Sequence, residues 1–133
     1  MAGYTVKRID DMEAVYGNAF KRARAELGVE AFGLQVLDIP ANATQYPEHD
    51  HAGDGQEEVF IPLRGSGEIE IDGERLALDP DTMVRVGPGT MRKIWPGDEG
   101  LRVLAIGGVP GKPYEPPEFS KLGAEDPLAQ RSG

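Results

Sequence analysis

Glycine and proline cut this chain into short pieces, and that punctuation constrains the fold more than any other feature. From Ala31 to Ile106, runs with strand-like alternation recur about every 8 to 12 residues, each closed by a turn signal. Phe32 to Ile39 ends at Pro40-Ala41-Asn42-Ala43, and Glu58 to Arg64 ends at Gly65-Ser66-Gly67. Met83 to Val86, Met91 to Trp95 and Leu101 to Ile106 follow, separated by Gly87-Pro88-Gly89 and Pro96-Gly97-Asp98. The sharpest signal is Asp72-Gly73 between Glu68-Ile69-Glu70-Ile71 and Glu74-Arg75-Leu76-Ala77-Leu78, because a two-residue hairpin turn needs positive φ at both positions. It also predicts the register, with Ile69 facing Leu76. Seven or eight short strands with no β-α-β alternation predict an all-β fold, an antiparallel jelly-roll β-barrel. A length of 133 residues suits one domain.

The flanks read differently. Tyr4 to Arg8 is a short extended start. Met12, Val15, Tyr16, Ala19, Phe20, Ala23 and Leu27 then repeat with the helical period, predicting one amphipathic N-terminal α-helix over residues 10 to 28. Asp10 and Glu13 would cap it, Gly28 would stop it, and Lys21, Arg22 and Arg24 would form a solvated basic face. After Gly108, prolines at 110, 113, 116, 117 and 127 and few apolar anchors predict an extended C-terminal arm, partly disordered. The expected division is therefore 1–30 for a strand and helix packed on the barrel, 31–108 for the barrel, and 109–133 for a Pro-rich tail.

Charge narrows the partners. Fourteen basic against 23 acidic residues give a net charge of -9, which would repel nucleic acid and an anionic membrane surface. Without cysteine there is no disulfide, thiolate nucleophile or cysteine-based zinc site. The N-terminus lacks the apolar region of a secretory signal, so the expectation is a soluble cytoplasmic protein.

Both histidines of the chain lie in one tripeptide, His49-Asp50-His51, where strand alternation aims both imidazoles to one side. Glu57 and Glu58 open the next strand. Two imidazoles and a carboxylate on adjoining strands make a two-histidine, one-carboxylate site that suits Fe(II), Mn(II), Ni(II) or Zn(II) and leaves positions open for a ligand. The alternative is a polar loop of solvated side chains.

The run His49-Asp50-His51, then Glu57-Glu58-Val59-Phe60-Ile61-Pro62-Leu63-Arg64-Gly65-Ser66-Gly67, resembles the first motif of the cupin superfamily: two histidines flanking one residue, a loop, a glutamate, six residues and a glycine. Counting back from Gly65 selects Glu58 over Glu57. The six-residue loop between His51 and Glu58 is longer than the usual three or four. Met83 to Thr90 looks like the second cupin motif, which leads to a third metal histidine; Arg92 stands there instead. The resemblance implies a barrel site with a divalent metal on His49, His51 and Glu58, and a homodimer formed through an outer sheet. It does not choose a reaction, since cupins include enzymes, binders and storage proteins.

Arg92 is a permanent cation where a neutral ligand is expected. Pointing inward, it would weaken metal binding, pair with Glu58 or hold an anionic ligand; pointing outward beside Lys93, it would be solvated. Tyr46, Phe60 and Trp95 join Arg92 as candidate ligand contacts, though each also suits plain packing. Two functions follow. The first binds a small organic, anionic ligand beside a divalent metal, as in a metal-dependent oxygenase or isomerase. The second is a metal-free binding or sensing protein that uses the same cavity.

Overall fold

A computed structural model describes residues 3–131. The strands are β1 (Ala14–Val15), β2 (Phe20–Lys21), β3 (Gly33–Ile39), β4 (Glu57–Ile71), β5 (Glu74–Leu78), β6 (Val84–Val86) and β7 (Arg92–Gly108). They form one antiparallel sheet in the order β1-β2-β3-β7-β4-β5, with β6 on β4. The sheet curls around a core without closing.

The Asp72-Gly73 hairpin forms as its sequence predicts. Asp72 has φ 48° and Gly73 φ 87°, and Ile69 pairs with Leu76. The turn is also docked sideways, because Asp72 exchanges backbone and carboxylate hydrogen bonds with the backbone of Met91.

Two expected turns are instead bends within long strands. Gly65-Ser66-Gly67 lies inside β4 and Pro96-Gly97-Asp98 inside β7, where the pairing shifts register between Pro62 and Arg64 and between Gly65 and Gly67. Bulges of this kind bend a strand without ending it. Gly65 has φ 80°, and a Cβ there would meet the Gly100 carbonyl oxygen at 2.2 Å, so the two strands can cross only over a glycine. The first half of β4 pairs with the second half of β7, and the second half of β4 with the first half of β7. Their concave face buries Phe60, Ile69, Ile94 and Val103 completely, with Leu37, Ile39, Val86 and Leu101 around them.

The N-terminal helix is the main correction. Of that span only α1 (Ala23–Leu27) is α-helical, with Gly28 as its C-cap, after a 3₁₀ turn at Ile9–Asp11. Tyr16 (φ 56°) and Gly17 (φ 72°) turn the chain between β1 and β2, and β2 pairs Phe20 with Leu37. The spacing that suggested a helix serves this hairpin: Val15 is buried, while Met12 and Ala23 cover Val36 on the convex face. The basic face is not solvated either. Lys21 and Arg22 are 2% and 1% exposed. Lys21 Nζ bonds Asn18 and lies 3.5 Å from Asp38, and Arg22 Nη1 donates to Glu13 at 2.8 Å. Glu13 and Asp10 therefore pair with arginines rather than cap a helix, Asp10 with Arg102.

Arg22 also anchors the C-terminal arm, donating from Nε to the Phe119 carbonyl at 2.8 Å and from Nη2 to that of Ala124 at 2.9 Å. Gly123 N–H donates to Glu13 and Tyr16 N–H to Asp126. Phe119 packs on Phe20 and Tyr16 with ring centroids 5.0 and 5.9 Å away. The arm carries a short 3₁₀ turn at Glu118–Ser120 and α2 (Pro127–Arg131). From Tyr114 to Asp126 its contacts make it a strap docked on the body of the fold. No helix among the described residues is long and apolar enough to cross a membrane.

Candidate metal and anion site

The site forms at one mouth of the curled sheet. His49 exchanges two backbone hydrogen bonds with Arg92, the first residue of β7, and His51 N–H donates to the Pro88 carbonyl at 2.7 Å. These bonds hold the tripeptide extended, so both imidazoles turn inward as alternation predicts. Glu58 reaches the same point from β4, on the face that carries Phe60.

The three side chains meet. His49, His51 and Glu58 each offer a ligand atom within 4.8 Å of the others. His51 Nε2 is 3.1 Å and His49 Nε2 3.9 Å from Glu58 Oε1. The opposite ring nitrogens are already engaged, His49 Nδ1 with the Pro47 carbonyl at 3.0 Å and His51 Nδ1 with Asp54 at 3.1 Å. Such outer bonds fix the tautomer that leaves Nε2 free to ligate. The Glu58 carboxylate, ahead of the opposing effect of burial, and Asp54 raise the His51 imidazole above its usual value.

Arg92 points inward. Its side chain is 0% exposed, Nη2 donates to the Gly87 carbonyl at 2.8 Å, and Nη1 lies 3.5 Å from Glu58 Oε1. Neither that approach nor the His51 contact is aligned as a hydrogen bond. Glu58 Oε1, Arg92 Nε and Arg92 Nη1 are consequently buried polar atoms without an aligned hydrogen bond, Oε1 and Nη1 being met only through ion-pair approaches.

The donor set fits a divalent cation: two imidazole nitrogens and a carboxylate oxygen without an aligned hydrogen bond converge, with outer bonds already in place. The guanidinium beside Glu58 opposes that cation by its charge, unless an anion comes with it.

The other candidates divide. Tyr46 is half-buried with its ring 5.8 Å from His49, and burial, together with the Glu58 charge, holds its hydroxyl well above the usual tyrosine range. Phe60 is fully buried and floors the site as core. Trp95 is not in the site. With Arg92 and Ile94 inward, alternation sends Lys93 and Trp95 to the convex face, where the indole bonds Glu70 and lies between Arg75 and Lys93. Glu57 also faces outward, paired with Arg85 at 2.8 Å. Sequence reasoning missed Asp54 and the Gly87 carbonyl as the groups that orient His51 and Arg92. Asp54 is three residues from His51, a spacing that could have flagged it; the carbonyl carries no sequence signal.

No protein-family model matches the sequence, and no curated protein matches it. Solved structures do. A cupin protein from Bacteroides fragilis superimposes with a TM-score of 0.66 at 21% identity, over 94% of this chain and 99% of that one. A predicted oxalate decarboxylase from Thermotoga maritima gives 0.63 at 16% identity, over 79% and 99%. A cupin-2 domain protein from Shewanella frigidimarina gives 0.55 at 17%, over 82% and 95%. At these identities the likeness speaks for architecture: the chain has the cupin fold, with the barrel left open. Within that fold it carries a His-His-Glu group close enough to bind a metal, and an arginine beside it.

Proposed function

We propose that this cupin binds a small carboxylate at the barrel mouth together with a divalent cation held by His49, His51 and Glu58. The observation that carries the reading is the trio of buried atoms without an aligned hydrogen bond. An unsatisfied buried polar group costs about 1–3 kcal/mol, so Glu58 Oε1, Arg92 Nε and Arg92 Nη1 form an expensive arrangement for the protein alone. A cation on the histidine side gives Oε1 its partner. A carboxylate on the Arg92 side supplies acceptors for both nitrogens, and its charge offsets the guanidinium beside the cation. Each ligand corrects what makes the site poor for the other.

Bound there, a divalent ion would supply a Lewis acid beside the carboxylate. The chain's own residues hold the reactants: Arg92 orients the anion, Asp54 and the Pro47 carbonyl hold the imidazoles, and Tyr46 and Phe60 limit water. The similarity to a predicted oxalate decarboxylase supports a small carboxylate as the class to test first. The alternative is metal-free binding, with Arg92 in place of the ion. It is favoured by the 3.5 Å approach of Arg92 to Glu58.

Equilibrium dialysis of untagged protein against Mn(II), Ni(II) and Zn(II) separates the two. The first reading predicts near-stoichiometric binding that Glu58→Gln weakens at least tenfold. Anion binding lost in Arg92→Gln, with no cation retained by the wild type, selects the metal-free reading.

A further inference from the structure

β7 serves the mouth from both of its faces. Arg92 turns inward to Glu58, and the next residue, Lys93, turns to the convex face. There Lys93 Nζ donates to the Thr44 carbonyl at 3.0 Å and to the Tyr46 carbonyl at 2.9 Å, and lies 4.4 Å from the centroid of the Trp95 ring. The ring is itself held by Glu70, which accepts from the indole N–H at 3.2 Å. An ammonium has three donors and no acceptor, so two carbonyls and one π-face occupy it fully. Among the described residues it makes no ion pair, because the carboxylates opposite Lys93 and Trp95 on β4, Glu70 and Glu68, go to Arg75. Lys93 therefore holds backbone rather than charge.

That backbone leads to the site. The segment from Asn42 to His49 runs alongside the first half of β7 and is tied to it at its ends, by Asn42 N–H to the Gly97 carbonyl at 3.1 Å and by the two His49–Arg92 bonds. Between those ends no backbone hydrogen bond among the described residues joins residues 43 to 48 to β7, and Pro47 has no N–H to offer. Lys93 fastens the middle of this span at two carbonyls. The same span carries part of the mouth: the Tyr46 ring packs on the core 5.8 Å from the His49 ring, and the Pro47 carbonyl accepts from His49 Nδ1 at 3.0 Å. The Tyr46 carbonyl belongs to the planar peptide unit immediately before Pro47, so fixing it limits where the Pro47 carbonyl can lie. A carbonyl accepts and cannot donate, which puts the proton of a neutral His49 on Nδ1 and leaves Nε2 bare on the Glu58 side.

We infer that Lys93 is a positioning residue of the cation site: resting on Trp95, its ammonium holds the Tyr46–Pro47 peptide so that the Pro47 carbonyl keeps His49 in the tautomer that can ligate. This rests on the cation-binding reading above and extends the site to the opposite face of β7. Loss of a group that directly orients a ligating imidazole weakens metal binding about 10- to 100-fold, and Lys93 stands one contact further out, so its effect falls at or just below the lower end.

The test uses Zn(II), which has no redox chemistry, and the ring-nitrogen NMR signals of the chain's two histidines. Lys93→Met keeps the length of the side chain and removes its donors, whereas Lys93→Arg keeps donors. In calorimetric titration Lys93→Met should bind Zn(II) about fivefold or more weakly than the wild type, and Lys93→Arg within about twofold of it. Above the histidine titration range, the wild type should show His49 protonated at Nδ1 alone and Lys93→Met a mixture of both tautomers. His51, oriented by Asp54 instead, should be unchanged. Trp95→Leu removes the ring beneath the ammonium and should weaken Zn(II) about twofold or more, a second reading if Lys93→Met does not fold. The role of Lys93 is overturned by wild-type affinity in Lys93→Met, by Lys93→Arg binding no tighter than Lys93→Met, or by equal changes at His49 and His51. Wild-type affinity in Trp95→Leu overturns it where Lys93→Met does not fold. If Glu58→Gln binds Zn(II) as tightly as the wild type does, the cation-binding reading falls, and this inference with it.

Discussion

At the scale of single residues, position 92 decides how the site behaves. A fixed cation 3.5 Å from the only anionic ligand must lower the affinity for a second cation. Arg92→His removes that charge and supplies another imidazole, so Mn(II), Ni(II) and Zn(II) affinity without added anion should rise at least tenfold, with Arg92→Ala rising less. Unchanged affinity in both variants would mean that Arg92 does not act on the cation. The sequence showed the importance of Arg92 but not its direction, because an arginine beside a lysine suits either face. What settles it is the His49 bridge and the Gly87 carbonyl, contacts made by distant residues. A second residue-scale effect lies on the convex face, where Arg102 pairs with Asp38 and Asp10. Burial pushes the Asp38 carboxyl up, but the Arg102 hydrogen bonds and charge prevail and hold it below the usual range. A depressed carboxyl stabilises the fold above its unfolded value of about 3.9 and loses that contribution as the pH falls through the folded value. Stability should therefore fall below about pH 4. Arg102→Met should flatten that acid limb and cost about 2 kcal/mol at pH 7 in urea unfolding. An unchanged acid limb would show that the pair is not linked to folding.

At the scale of elements, the sequence was most legible where a turn has its own chemistry. Asp72-Gly73 fixed both its dihedral angles and the Ile69–Leu76 register, so Gly73→Val, forced to a φ of 87°, should cost about 1–3 kcal/mol. A cost below a few tenths would contradict that geometry. Elsewhere the same residues carried less information than they seemed to. Glycine marks a bulge as readily as a turn, which is why β4 and β7 were read as four strands rather than two bent ones. Residues 10 to 28 had an apolar spacing compatible with a helix, yet the hairpin there is held by partners far along the chain, Leu37 on β3 and Phe119 on the arm. Local periodicity cannot report a partner about 100 residues away. Arg22 shows the cost of missing it. Arg22→Met removes donors from Glu13 and from the Phe119 and Ala124 carbonyls, and should destabilise the protein by about 2–4 kcal/mol. Trypsin should then cleave after exposed Lys121 many times faster than in the wild type; equal rates would mean that the arm is not held by Arg22.

For the whole molecule, the bent β4–β7 pair brings the His tripeptide, Glu58 and Arg92 to one mouth, while the arm lays Tyr114 on Gly33 of β3. The curled sheet leaves Phe32, Leu63 and Met83 exposed on its outer surface, at 40%, 40% and 69%. A homodimer through that outer sheet is the expected assembly, and light scattering that finds only a 14.4 kDa species over a wide concentration range would contradict it. The central claim concerns the mouth itself, where a cation and a carboxylate each satisfy what the other leaves uncompensated. Such coupling must be reciprocal in the binding free energies. The most direct measurement is the Mn(II) affinity of untagged wild type and Arg92→Gln, each with and without saturating 3-hydroxybutyrate, a weak chelator. The account predicts that the acid tightens Mn(II) at least fivefold in the wild type and leaves Arg92→Gln unaffected. Equal Mn(II) affinity with and without the acid in the wild type would contradict it.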